Sequence, residues 1–174
     1  YVAGNFFVQD IAASYPVRLL GAVAGKAVLD IGAAPGGKTL QLCAAGARVT
    51  ALERSASRAQ RLHENLARTQ LVATCVVADA VQWQPPEPYD AVVLDAPCTA
   101  TGTWRRHPEV LRVKSLESIA EMVGHQRALL ARAWSWVAPG GKLLYCVCSL
   151  EREEGEDQAR WLMQHHPDAR VLHP

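Results

Sequence analysis

The sequence lacks any long uncharged run. Its longest stretch without Asp, Glu, Lys or Arg is the ten residues Thr69–Ala78, and a membrane-spanning helix needs about 20 predominantly apolar residues. An integral helical membrane protein is thereby excluded. The sequence also lacks a charge excess. Eighteen basic against 17 acidic residues leave +1, so the whole chain is no polycation built to coat nucleic acid. Lysine is scarce, at four residues against 14 arginines, and arginine favours planar, bidentate contacts over diffuse attraction. No repeat, low-complexity tract or signal-peptide pattern is present. The five cysteines (Cys43, Cys75, Cys98, Cys146, Cys148) are an odd number for a disulfide framework. Free thiols in a reducing, cytoplasmic setting are the expectation. Tyr1 stands where a Met would begin a chain, so the sequence reads as processed or as a fragment.

What is present is the composition of a globular protein: 174 residues, 49% of them hydrophobic and 20% charged. At roughly 150 residues per domain this is one domain, large enough to fold without a disulfide or metal staple. Short β-branched runs alternate with helical segments. Strands are expected at Ala27–Ile31, Arg48–Leu52, Ala73–Val77, Asp90–Leu94 and Lys142–Val147. Helices are expected over Lys38–Ala45, from the cap Ser55 to about Arg68, over Ser115–Val137 up to the stop Pro139-Gly140-Gly141, and over Glu153–His165. Strands that are apolar throughout, in strict alternation with helices, mean a parallel sheet covered on both faces. Right-handed crossovers make it an open, doubly wound α/β sheet. Ligands of such sheets sit beyond the carboxyl ends of the strands.

The first strand ends in Gly32-Ala33-Ala34-Pro35-Gly36-Gly37-Lys38. Glycines let the backbone approach a ligand, and a helix start offers free amides to an anion. The pattern is neither GxGxxG nor a phosphate loop. Glu53 closes the second strand, 21 positions beyond Gly32, where an acid hydrogen-bonds ribose hydroxyls. A tight turn before a helix, or a dinucleotide fold, remains the alternative. Asp79 follows the third strand, as an acceptor for an adenine amino group or as a plain turn cap. Asp95-Ala96-Pro97-Cys98 ends the fourth strand and Tyr145-Cys146-Val147-Cys148-Ser149 the fifth. Cys43 and Cys75 read as small core residues. A CxC pair without a second pair or a nearby His is a poor zinc site, so no metal is expected. Two thiols beside an acid at a sheet edge point instead to covalent chemistry on a substrate.

These motifs are similar to those of the bacterial Sun (Fmu) type of 16S ribosomal RNA cytosine-5 methyltransferase, within the NOL/NOP2/Sun family. The likeness runs from Gly4-Asn5-Phe6-Phe7-Val8-Gln9-Asp10, through Ala33–Thr39 and Asp95–Gly102, to Arg105-Arg106-His107-Pro108 and Tyr145–Ser149. It implies a Rossmann-like class I methyltransferase and S-adenosyl-L-methionine as cofactor. Gly32 to Lys38 would hold the methionine end, Glu53 the ribose and Asp79 the adenine side, with Asp95 between cofactor and target base. Cys148 would be the nucleophile adding to C6 of cytosine, and Cys98 would help release the product. The target base must be unstacked or single-stranded. The alternatives are Cys98 as nucleophile, as in the DNA cytosine-5 enzymes, or a non-catalytic module that keeps the cofactor fold.

The resemblance also implies RNA, specifically 16S ribosomal RNA, as partner; no obligate protein partner is evident. Arg105 and Arg106, with Arg112, Lys114 and Arg127 nearby, are candidates for phosphate contacts. Trp104 could stack on a base or lie in the core. The acidic run Glu151–Asp157 reads as a solvated helix start. Family members carry an N-terminal RNA-binding domain and a last pair of strands that this sequence does not show, so residues 1–174 are expected to be the catalytic domain cut from a longer protein, or a naturally shortened homologue. Gly32 replaces the family's usual Cys, Glu53 its Asp, Val147 its Thr and Thr99 its Ser; none of these removes a proposed catalytic group.

Overall fold

Apolar runs with little helical periodicity become the strands of one sheet. In the computed structural model, which describes residues 1–113 and 115–172, they are β1 (Ala27–Ile31), β2 (Arg48–Glu53), β3 (Thr74–Val77), β4 (Tyr89–Asp95) and β5 (Val137–Cys146). All four pairings are parallel, in the order β3-β2-β1-β4-β5. The chain reverses its winding between β1 and β4, so their carboxyl ends frame the switch point where doubly wound sheets bind ligands.

Helices α1 (Ile11–Leu19), α2 (Gly37–Ala44) and α3 (Ala56–Thr69) cover one face. There Val17 and Leu42 pack on Val28, Val49 and Val93, while Leu62 and Leu66 pack on Ala51. After the short α4 (Val110–Val113), helices α5 (Leu116–Ser135) and α6 (Glu156–His165) cover the other face. Leu129, Leu130, Ala133 and Trp136 meet Leu29, Ile31, Val92 and Leu94 there, with Trp161 and Leu162 against the cluster. Alternate residues of β1 and β4 thus serve opposite cores, which is why these strands are apolar on both faces apart from Asp30 and the terminal Asp90 and Asp95.

Four features differ from the sequence expectation. Residues Ile11–Leu19 form a helix that carries Pro16 inside it, capped by Asp10 accepting from the Ala12 amide. The alternation is not strict: the crossover from β3 to β4, Ala78–Pro88, contains no helix. The Pro139-Gly140-Gly141 stop lies inside β5, where pairing steps from Tyr89–Val137 to Ala91–Lys142, so the segment bulges and the strand resumes. The last helix is divided by Gly155 into a 3-10 turn, Arg152–Glu154, and α6. Lys114 lies outside the described residues.

Candidate active site

The carboxyl ends of β1, β2, β3 and β4 open into a cavity of about 290 Å³. Gly32, Glu53, Asp79, Asp95, Cys98 and Cys148 all line it, so one site gathers residues expected from five separate strand ends. Its apolar lining comes from Ile31, Leu52 and Leu129. Ala33, Ala34, Pro35, Gly36, Gly37 and Lys38 do not line this cavity. Ala33 and Ala34 are buried beside Leu62 and Leu66. Arg105 and Arg106 also stand outside it, exposed on the segment that follows Cys98.

Gly32 is held at φ +76°, and a Cβ there would come within 2.7 Å of the Asp95 carbonyl oxygen. In this chain a side chain at that position would force the Asp95 carbonyl to shift, so β1 and β4 approach each other here across bare backbone. The Gly32 amide donates to the Leu52 carbonyl at 2.9 Å, tying the turn to β2. Glu53 is 4% exposed. Its carboxylate accepts from the Ala34 amide at 3.3 Å and the Ser55 amide at 2.9 Å, and the Arg58 guanidinium lies 3.7 Å away. Arg58 also donates to the Ala34 carbonyl at 2.6 Å, so the turn and the acid are fixed as one unit. Asp79 accepts from the Val81 amide at 2.9 Å and lies 3.9 Å from Arg54. It caps its turn while still facing the cavity. Arg54, Arg58 and His125 also line the cavity, and no sequence motif singled them out.

The thiols lie beside this cleft. Cys98 Sγ and Cys148 Sγ are 3.4 Å apart. The hydrogen bond from Cys98 brings the Cys148 thiol down from 9.0 to about 7, its own backbone amide and Lys38 adding to the effect while burial and Asp95 oppose it. The same bond, with burial, pushes Cys98 well above the thiol range. The two sulfurs thus share one proton, Cys148 being the more acidic member of the pair. No other thiol behaves like Cys148: burial drives Cys43 up to about 11 and Cys146 up to about 12, and raises Cys75. Asp95 is held by Lys38 Nζ at 2.7 Å, with the Cys146 thiol 3.8 Å from its other oxygen. Cys146 thus touches Asp95 and not the reactive pair.

Two nearby expectations are settled by burial. Trp104 is 46% exposed, which removes the core alternative. The acidic run is not solvated throughout: Glu154 is fully buried, because four donors from other segments converge on its carboxylate.

A doubly wound parallel sheet with this strand order and a ligand cleft at its switch point is a Rossmann-like fold, and its structural neighbours make it that of a class I methyltransferase. Residues 17–174 match the profile of the family described as 16S rRNA methyltransferase RsmB/F, and the chain belongs to that family. It is 37% identical over 177 residues to Ribosomal RNA small subunit methyltransferase B of Vibrio cholerae serotype O1, across 99% of this chain and 41% of the relative. The chain therefore spans about two fifths of the length of such relatives. NSun6 from Pyrococcus horikoshii, solved with SFG, superposes with a TM-score of 0.87 at 28% identity, over 94% of this chain and 43% of that one. A methyltransferase homolog protein from the same organism gives 0.83 at 28% identity, over 94% and 52%.

Proposed function

We propose that the chain is the catalytic domain of an RNA cytosine-5 methyltransferase acting on 16S ribosomal RNA, with S-adenosyl-L-methionine as cofactor and Cys148 as nucleophile. The observation that carries this reading is the thiol pair: two sulfurs 3.4 Å apart at a nucleoside-sized cleft, one of them acidified by the other. The names of the relatives, and the SFG bound to one of them, support the substrate and the cofactor.

The cleft fits the cofactor on its own terms. Gly32 leaves backbone free where a Cβ would clash, Glu53 presents a buried carboxylate for ribose hydroxyls, and Asp79 presents one for an adenine amino group. The residues from Ala33 to Lys38 back the methionine end. When bound, S-adenosyl-L-methionine supplies an electrophilic methyl group for C5. The protein's own part begins with the Cys148 thiolate, which adds to C6 of the cytosine and so makes C5 nucleophilic. Asp95, anchored by Lys38 at 2.7 Å, would meet the edge of the base, where its protonated form donates to N3 as negative charge develops there. Once the Cys148 sulfur is bonded to carbon, Cys98 no longer holds a neighbouring thiolate. Its pKa then returns toward the ordinary thiol range. It can then release its own proton to solvent and, as a thiolate, take the C5 proton, after which the Cys148–C6 bond breaks and the Cys148 sulfur leaves as a thiolate. The exposed Trp104, Arg105 and Arg106 lie on the segment leading away from Cys98, where a single strand would be gripped. Arg106 is 3.4 Å from Asp10, so phosphate binding there competes with an internal ion pair.

The test is methyl transfer to 16S ribosomal RNA by the full protein and its cysteine variants. Cys148→Ser should abolish both turnover and the covalent adduct. Cys98→Ser should slow release by roughly a hundredfold or more and trap a protein–RNA adduct on a denaturing gel. The reverse pattern would assign the nucleophile to Cys98. Full activity in both variants would remove covalent catalysis altogether.

A further inference from the structure

We infer that Glu154 is the positioning residue that holds the two thiols against each other, an inference resting on the two-thiol reading above. Neither thiol is fixed by packing: Cys98 is half-buried and Cys148 exposed, each in a loop just beyond its strand. Loops are the parts of a fold least constrained by their own backbone. The loops touch directly through the Ser149 hydroxyl, 3.2 Å from that of Thr99 and 3.1 Å from that of Thr101, and these contacts are themselves organised by one further group.

Glu154 is that group. One carboxylate oxygen accepts from the Thr99 amide at 2.9 Å and from Gln126 Nε2 at 2.9 Å. The other accepts from Ser149 Oγ at 2.6 Å and from the Thr99 hydroxyl. Thr99 directly follows Cys98, and Ser149 directly follows Cys148. One side chain thus links the residues adjoining both thiols. Gln126 completes the bracket around Cys98 by donating to the Pro97 carbonyl at 2.9 Å. On the other side the Cys148 carbonyl accepts from the Gly102 amide at 3.0 Å, at a position where a Cβ would come within 2.8 Å of that oxygen. Glu154 itself is anchored through its carbonyl, which accepts from the Tyr145 hydroxyl at 2.7 Å.

The chemistry requires a carboxylate. Four donors aim at two oxygens, and an ionised carboxylate is the one side-chain group that accepts from all of them without bringing a donor of its own. Burial alone would raise its pKa, but the Ser149, Thr99 and Gln126 hydrogen bonds outweigh that and lower it. The charge is therefore kept in a site with no solvent access, at a desolvation cost that only such a donor set offsets.

The experiment reads the thiols directly, without RNA or cofactor. Iodoacetamide labelling of Cys148 in the full protein, resolved by peptide mass spectrometry, is followed against pH for wild type and Glu154→Gln. The groups facing the Cys148 thiol are Cys98, Asp95 and Lys38, and the substitution alters none of them. Loss of positioning should move the labelling midpoint upward and slow labelling at pH 7 by roughly tenfold. Neutralising an anion by itself would move the midpoint the other way, so the sign separates positioning from through-space charge. Glu154→Asp, which keeps the charge on a shorter arm, should restore part of the effect. Val17→Ala, a core truncation on the opposite face, should lower Tm and leave the midpoint in place. A folded Glu154→Gln protein with a wild-type or lower midpoint would overturn the assignment. If Glu154→Gln does not fold, Ser149→Ala decides: slowing of about threefold supports the tie, and unchanged labelling sinks it. Failure of the RNA reading would show instead as unimpaired methyl transfer by Cys148→Ser, a result independent of the midpoints measured in wild type and Glu154→Gln.

Discussion

At the scale of single residues, the site depends on placing charge where burial disfavours it. Asp30 on β1 is 1% exposed; one oxygen accepts from the Thr39 hydroxyl at 2.6 Å and the other has no partner. Burial raises its pKa from 3.8 to about 7 against the lowering pull of Thr39. Because the folded value exceeds the unfolded one, the unfolded chain releases this proton first. Its contribution to stability is complete below about pH 4 and declines as pH rises through about 7. Asp30→Asn should therefore be more stable than wild type at pH 7, by up to about 4 kcal/mol, with no gain at pH 4. Urea unfolding at both pH values measures this, and equal gains at both would refute the account. Residues such as Gly32, Glu53, Asp79, Asp95, Cys98 and Cys148 were legible in the sequence because strand ends mark ligand sites in this fold. Glu154 was not. It stands in a run rich in acids, and Thr99, which gives it two of its four hydrogen bonds, is 55 positions away.

At the scale of elements, four strands and four helices agree with expectation to within three residues at their ends, while α1, α4 and the first half of β5 were missed. β1, β2 and β4 stand between two cores, so short runs rich in β-branched and other apolar residues reveal them within a residue or two. Helix α1 gave no such signal. Ile11, Tyr15 and Leu19, which repeat at helical spacing, are 81%, 55% and 41% exposed, and Pro16 argues against a helix. The start of β5 was hidden for the opposite reason: Pro139-Gly140-Gly141 reads as a terminator, yet a bulge absorbs it. Helix α5 is fastened to the sheet chiefly at its end. Trp136 is 1% exposed and stands edge-on to Trp83 at 5.4 Å, while Arg132 donates to the Trp83 carbonyl at 2.6 Å. This contact secures the helix-free crossover from β3 to β4. Trp136→Ala should cost about 3–5 kcal/mol, and hydrogen exchange should rise first in residues 78–88. A loss below about 1 kcal/mol would mean the crossover is held elsewhere.

At the scale of the whole molecule, near-neutral charge and a compact sheet say little about RNA. The basic residues that could grip a strand are local, at Arg105 and Arg106, and a summed charge of +1 conceals them. No helix among the described residues is long and apolar enough to cross a membrane. The five thiols, equivalent in composition, are sorted by the fold into three environments. Cys43 and Cys75 pack against the apolar clusters under α1, α2 and α3. Cys146 borders Asp95, and Cys98 and Cys148 stand together. Such a vicinal pair is a chelate for soft, thiophilic elements. A trivalent organoarsenical such as phenylarsine oxide should bind the intact protein in a 1:1 complex. Mass spectrometry should show it lost on adding a competing dithiol and absent from Cys98→Ser. A proximity suited to passing a proton between sulfurs thus also makes this protein a selective target for arsenic.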